Sequence, residues 1–152
     1  MNEQPSPDST LHRSLAARFF NDAWTLVDKE ERTADEDLRM IHLAHASRLH
    51  WEFAGDASNL SIGEWQISRV YSILGHAEAA LYHARHSLSI ATEHNLKPFL
   101  VAYSCEAMAR AFALTKDPAA GDYVSRAKQL VPGIEDARDR ALLEADLATI
   151  GV

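Results

Sequence analysis

Apolar residues along this chain recur at three- and four-residue intervals without sustained alternation, which is the rhythm of amphipathic helices and not of strands. Leu11, Leu15, Phe19 and Leu26 mark a first helix, capped by Ser9 and running to about residue 29. An acidic stretch over 28–31 breaks the pattern. Thr33 and Glu36 then stand at capping-box spacing and open a second helix that runs to about Phe53 and stops at Gly55-Asp56. A third helix is expected from near Ser61 to Leu74-Gly75. A fourth spans 77–93, with Ala77, Ala80, Leu81, Ala84, Leu88 and Ala91 on one stripe. Alanines at 80 and 84 predict a close helix crossing. Pro98 suits the first turn of a fifth helix reaching about Leu114. Asp117-Pro118 opens a sixth, which ends near Val131-Pro132-Gly133. The seventh, over 134–150, places Ile134, Ala137, Ala141, Leu142, Ala145 and Ala148 on its expected core face. In the second helix, His42 and His45 fall on the most apolar stripe, with Leu38, Ile41 and Leu49.

Three short stretches repeat a pattern of small residue, arginine, apolar residue and aromatic. They are Ala17-Arg18-Phe19-Phe20, Ser68-Arg69-Val70-Tyr71 and Ala109-Arg110-Ala111-Phe112, spaced 51 and 41 residues apart. They fall on the first, third and fifth helices, and a second helix follows each. Self-similarity of this kind marks stacked helical hairpins. The expected pairs cover 9–53, 61–93 and 97–131, with 134–150 as a terminal cap, all in one domain over 9–152. Short loops make neighbouring helices antiparallel. A fourth near-match, Ser47-Arg48-Leu49-His50, lies on a second helix, outside the repeat parity. Residues 1–8 are polar and proline-containing, and read as a disordered lead-in.

The middle pair resembles a tetratricopeptide repeat. Its first helix has Trp65, Ile67-Ser68 and Tyr71, followed by Leu74-Gly75 at the turn and Ala80, Ala84 and Leu88 in the second helix. The next pair is similar more loosely, through Met108-Ala109, Phe112, Lys116-Asp117, Ala120 and Ala127. It has a one-residue shift in its second helix and no turn glycine. The first pair matches through Ala16-Ala17 and Phe20. The resemblance implies an all-α, tetratricopeptide-like right-handed array of about seven helices, in which the first helix of each hairpin lines a concave groove for a peptide. Carried over by position, it assigns Trp65, Arg69, Ser72 and Ile73 to that groove, then Tyr103, Glu106, Arg110 and Ala113, with Arg18 from the first helix. Helical geometry agrees for the third pair, since Tyr103, Glu106 and Arg110 share one face.

Charge narrows the partners. The formal net charge of −7 argues against general binding to nucleic acid or anionic membrane, which needs a positive field. Within that total, eleven arginines stand against four lysines. A guanidinium fork suits carboxylates, so the groove is expected to take a protein or peptide that is acidic or ends in a free carboxylate. No apolar run reaches the roughly 18 residues of a membrane span, the start lacks the pattern of a secretory signal, and the lone Cys105 has no internal partner. These features point to a reducing, cytoplasmic setting and a buried, inert thiol.

Two other readings stay open at this level. His42 and His45, with His83 and His86, are pairs at helical spacing that could chelate a transition metal in a small helical bundle, with Glu52 or Glu78 as oxygen ligands. The groove could instead be filled by a second copy of the chain. For catalysis there is no glycine-rich phosphate loop, nucleophile elbow or cysteine pair. Glu64 near Tyr71 and Glu106 near Tyr103 are acid–base juxtapositions, and helix-surface polarity accounts for both. The reading is a non-catalytic binding scaffold without a cofactor.

Overall fold

A computed structural model describes residues 7–152. Every regular element among them is helical: α1 (Pro7–Val27), α2 (Ala34–Ala54), α3 (Ala57–Ile73), α4 (Ala77–Glu93), α5 (Pro98–Ala113), α6 (Ala119–Leu130) and α7 (Ala137–Ala148), with a single 3-10 turn, Val131–Gly133, before α7. The fold is therefore all-α, with seven α-helices among the described residues. Most of the lead-in expected over 1–8 lies outside those residues. Within them Pro7 and Asp8 are already helical, ahead of the expected cap at Ser9.

Local chemistry sets the helix ends. Thr33 Oγ1 accepts from the Glu36 amide at 3.2 Å, and Glu36 Oε2 accepts from the Thr33 amide at 2.9 Å, completing the capping box. Asp56 and Asn59 build the same reciprocal pair, with the Asn59 side-chain oxygen in the glutamate's role. That cap starts α3 at Ala57, earlier than the residue-61 start read from hydrophobic spacing. The ends of α3 and α5 are alike. The His76 amide reaches back to the Tyr71 carbonyl at 2.9 Å and the Asp117 amide to that of Phe112 at 3.1 Å. Gly75 and Lys116 occupy the left-handed position between them, at φ 77° and 56°. Asn95 does the same after α4, at φ 49°.

From α1 to α6 each helix packs on the next, and the odd-numbered helices also meet, α3 lying against both α1 and α5, and α7 against α5. Small residues permit this. Ala80, Ala84 and Ala91 are fully buried where α4 crosses its neighbours. Buried serines bond across the same seams: Ser68 Oγ donates to the Ala80 carbonyl at 2.8 Å, Ser47 Oγ to that of Ala16 at 2.8 Å, and Ser61 and Ser87 to each other's carbonyls at 3.0 and 2.9 Å. Each hydroxyl is thereby satisfied without water.

Two expected core faces point outward. On α2 Leu38, His42 and Leu49 of the expected stripe are exposed while Ile41 and His45 are half-buried, and the helix buries Met40, Ala44 and Ser47, the side on which both α1 and α3 pack. On α7 the alanines at 137, 141, 145 and 148 are exposed, as is Leu142, while Leu143, Leu147 and Ile150 are buried with Ile134. On α7 the larger side chains remove more apolar area from water, at about 25 cal/mol per Å², and so decide which face turns in. Through them α7 rests chiefly on α5. No described helix is long and apolar enough to cross a membrane.

Candidate ligand-binding pocket

Side chains at helical intervals on α3 (Ile62, Trp65, Arg69 and Ile73) form the floor of a pocket of about 670 Å³. Phe99, Leu100 and Tyr103 of α5 continue that floor. The end of α1, with Trp24, Val27 and Asp28, makes one wall, and Leu142 and Asp146 of α7 make another. The aromatic rings interlock. Trp24 and Trp65 lie 5.5 Å apart between centroids, Trp65 meets Tyr103 edge-on at 5.3 Å, and Phe99 meets Tyr103 at 4.9 Å.

Beneath the rings sits Glu106, 1% exposed. Its Oε2 accepts from Trp65 Nε1 at 3.1 Å, and its Oε1 from Arg110 Nε at 2.6 Å and Arg69 Nη1 at 3.4 Å. Arg69 and Arg110 stand at the same place in two successive hairpins and converge on this one carboxylate. Arg110 also donates through Nη2 to the Asp146 carbonyl at 3.0 Å and to Thr149 Oγ1 at 2.9 Å, tying α7 to α5. The Tyr103 hydroxyl donates to Asp146 Oδ2 at 2.7 Å. Burial first, and that carboxylate second, push the Tyr103 pKa strongly upward, so the phenol keeps its proton. Burial and the neighbouring Arg110 both pull the Arg69 pKa below the ordinary guanidinium value.

Of the residues assigned to the groove by resemblance, Trp65, Arg69, Ile73 and Tyr103 line the pocket, and Ala113 does not. Glu106 and Arg110 lie behind it as its support. Ser72 is buried, its Oγ without a hydrogen-bond partner, and does not line the pocket. Arg18 is displaced altogether: its side chain is 72% exposed and paired with Asp22 at 3.7 Å. It lies six residues from Trp24, about 120° round the helix, so turning Trp24 inward turns Arg18 away. The three arginines therefore share no common surface. Trp24, Phe99, Leu142 and Asp146 enter the pocket unannounced by the repeat signature. Phe20 and Trp24, four apart on α1 and in contact edge-to-face, were a readable sign of a second aromatic face.

The histidines divide. His45 and His83 meet edge-to-face, 5.3 Å between centroids, where α2, α3 and α4 converge. Glu64 accepts from His83 Nδ1 at 2.6 Å, and its other oxygen lies 2.9 Å from Arg48 Nε. His45 Nε2 shares a hydrogen bond of 2.9 Å with the Tyr71 hydroxyl. Burial alone would raise the Glu64 pKa, but the His83 hydrogen bond and the charges of His83 and Arg48 outweigh it and hold the carboxyl low. His42 is on the outer face of α2, and His86 is exposed against Tyr82. The four histidines thus do not converge, and among the described residues no group of three or more histidine, cysteine or carboxylate side chains is placed to hold a metal ion.

The acid–base juxtapositions are also spoken for. Glu64 pairs with His83 and Arg48, and Glu106 with Trp65 and two arginines, so neither bonds to its neighbouring tyrosine. Cys105 is buried, and burial pushes its thiol pKa up. No protein-family model, curated protein or solved structure matches this chain.

Proposed function

We propose that this protein is a non-catalytic binding scaffold, a tetratricopeptide-like right-handed helical array whose concave side receives a segment of a protein partner. The observation that supports this most is the pocket itself. It lies on the faces of α3 and α5 that the repeat assigns to ligand, and it is lined by Trp24, Trp65, Phe99 and Tyr103 around Arg69. Rigid aromatic side chains give a partner residue large apolar contact at small entropic cost. The matching turns after α3 and α5, and the matching places of Arg69 and Arg110, favour the repeat reading. An apolar side chain of the partner enters the ring cluster, and the flanking chain runs along α3 and α5.

Random peptides displayed with exposed C-termini, panned against the purified protein, provide the test. Enriched sequences should bind wild type and Arg138→Glu alike, and Trp65→Ala weaker by about tenfold or more, as expected for a central aromatic anchor. Circular dichroism confirms that each variant is folded. Equal affinity for all three proteins would place the binding surface elsewhere.

A further inference from the structure

Arg69 is the only cation among the described residues that line the pocket. Its pairing is incomplete. It reaches Glu106 Oε1 only at 3.4 Å, and Arg110 holds the same oxygen at 2.6 Å. Arg69 Nε is buried with no hydrogen-bond partner. A guanidinium offers five donors in a planar fork, so one long shared bond leaves most of its capacity unused in a site lined mainly by apolar side chains. The two carboxylates on the walls are differently placed. Asp146 already accepts the Tyr103 hydroxyl, and Asp28 sits at the exposed end of α1. Both would repel a second acidic group. With α1 on one side and α7 on the other, the pocket suits the end of a ligand better than a passing chain. Its volume of about 670 Å³ lies within the usual range of about 300–1,000 Å³ for pockets that enclose small ligands.

We infer that the pocket recognises a compact apolar group bearing a single carboxylate, the carboxylate on Arg69 and the apolar body among Trp24, Trp65, Phe99 and Tyr103. This rests on the concave pocket being the binding site, as proposed above, and adds the chemistry of what it selects. The C-terminal residue of a peptide and a free aryl-alkanoic acid share that chemistry.

Tryptophan fluorescence and calorimetry at neutral pH test it with phenylbutyrate, phenylbutylamine and phenylbutyramide, and with an acetylated tetrapeptide ending in phenylalanine, as free acid and as amide. In at least one series the acid should bind about tenfold or more tighter than its amide, the loss expected for a hydrogen bond to a charged group, and tighter than the amine. Binding by the peptide acid alone assigns a chain terminus. Binding by phenylbutyrate alone assigns a small acid, and binding by both assigns the shared group. Arg69→Gln should remove the preference for acid over amide, and Arg69→Lys, which keeps the charge without the fork, should retain part of it. Melting curves show that both variants are folded. Equal binding of acid and amide, or tighter binding of the amine, overturns the carboxylate while leaving the scaffold standing. Failure of every probe with protein that still binds panned peptides through Trp65 likewise overturns this inference alone.

Discussion

Single residues hold this site together, and Glu106 gathers more of its polar contacts than any other pocket-supporting carboxylate described. It is the acceptor for two guanidiniums and an indole in a place that water does not reach. Glu106→Ala strands those donors, and breaking a buried pair from one side costs roughly 3–5 kcal/mol. Urea denaturation should show that loss, and a change below about 0.5 kcal/mol would mean that the arginines find other partners. His45 gives the fold a pH dependence. Burial first, then the charge of His83, lower its pKa from the ordinary 6.5, against the pull of Glu64, with His42 adding to the depression. Tyr71 shares a hydrogen bond with His45, and Arg48 pairs with the same Glu64. The folded protein resists a proton that the unfolded chain accepts, so this contribution is whole above the ordinary value and is lost as pH falls through the lower folded one. Glu64, depressed from 4.5, loses its contribution only at more acidic pH. The melting temperature should therefore fall as pH drops below the ordinary histidine value of 6.5, with a shallower slope in His45→Gln. An unchanged slope in that variant would remove His45 from the account. Sequence spacing brought Tyr103, Glu106 and Arg110 to one face but not Glu106 into the interior, because α7, which seals it, follows no repeat signature.

At the scale of elements, helix existence was legible almost throughout, since periodicity and caps such as Thr33–Glu36 are local. Which face turns inward was less so. On α2 and α7 the choice depends on what packs against the helix. Leu38 and Leu49 lost to Met40 and Ala44, and the alanines of α7 to Leu143 and Leu147. On α4 the alanine stripe is buried as expected. Ala84→Leu should consequently overpack the crossing and cost roughly 1–3 kcal/mol in chemical denaturation, and a cost within about 0.5 kcal/mol would contradict the close packing. The turns offer a change of opposite sign. Lys116 holds the left-handed conformation that Gly75 holds in the preceding hairpin. A side chain there costs about 1–2 kcal/mol, partly offset by the greater freedom of glycine in the unfolded chain, so Lys116→Gly should stabilise by up to about 1 kcal/mol. Destabilisation would show that the lysine side chain makes contacts worth more than its strain.

Across the whole molecule, successive hairpins bring Trp65, Arg69 and Tyr103 together from places far apart in the chain; the repeat signature singled out Arg69, and the resemblance named Trp65 and Tyr103 beside it. The walls were not readable. The contribution of α1 depends on a register that turns Trp24 inward and Arg18 outward, and that of α7 on a packing angle set by Leu143, Leu147 and Ile150. Both are products of tertiary packing. They change the expected open row of arginines into a bounded aromatic pocket with one cation among the described residues. Three tryptophans make the central claim directly measurable. Trp24 and Trp65 line the pocket, while Trp51, under the Arg13 guanidinium on the first hairpin, does not. In protein labelled with nitrogen-15, each indole N–H gives its own resonance during titration with a panned peptide. The Trp24 and Trp65 signals should shift together and saturably while Trp51 stays in place. A shift confined to Trp51, or saturable binding that leaves all three indoles unmoved, would contradict the pocket as the binding site.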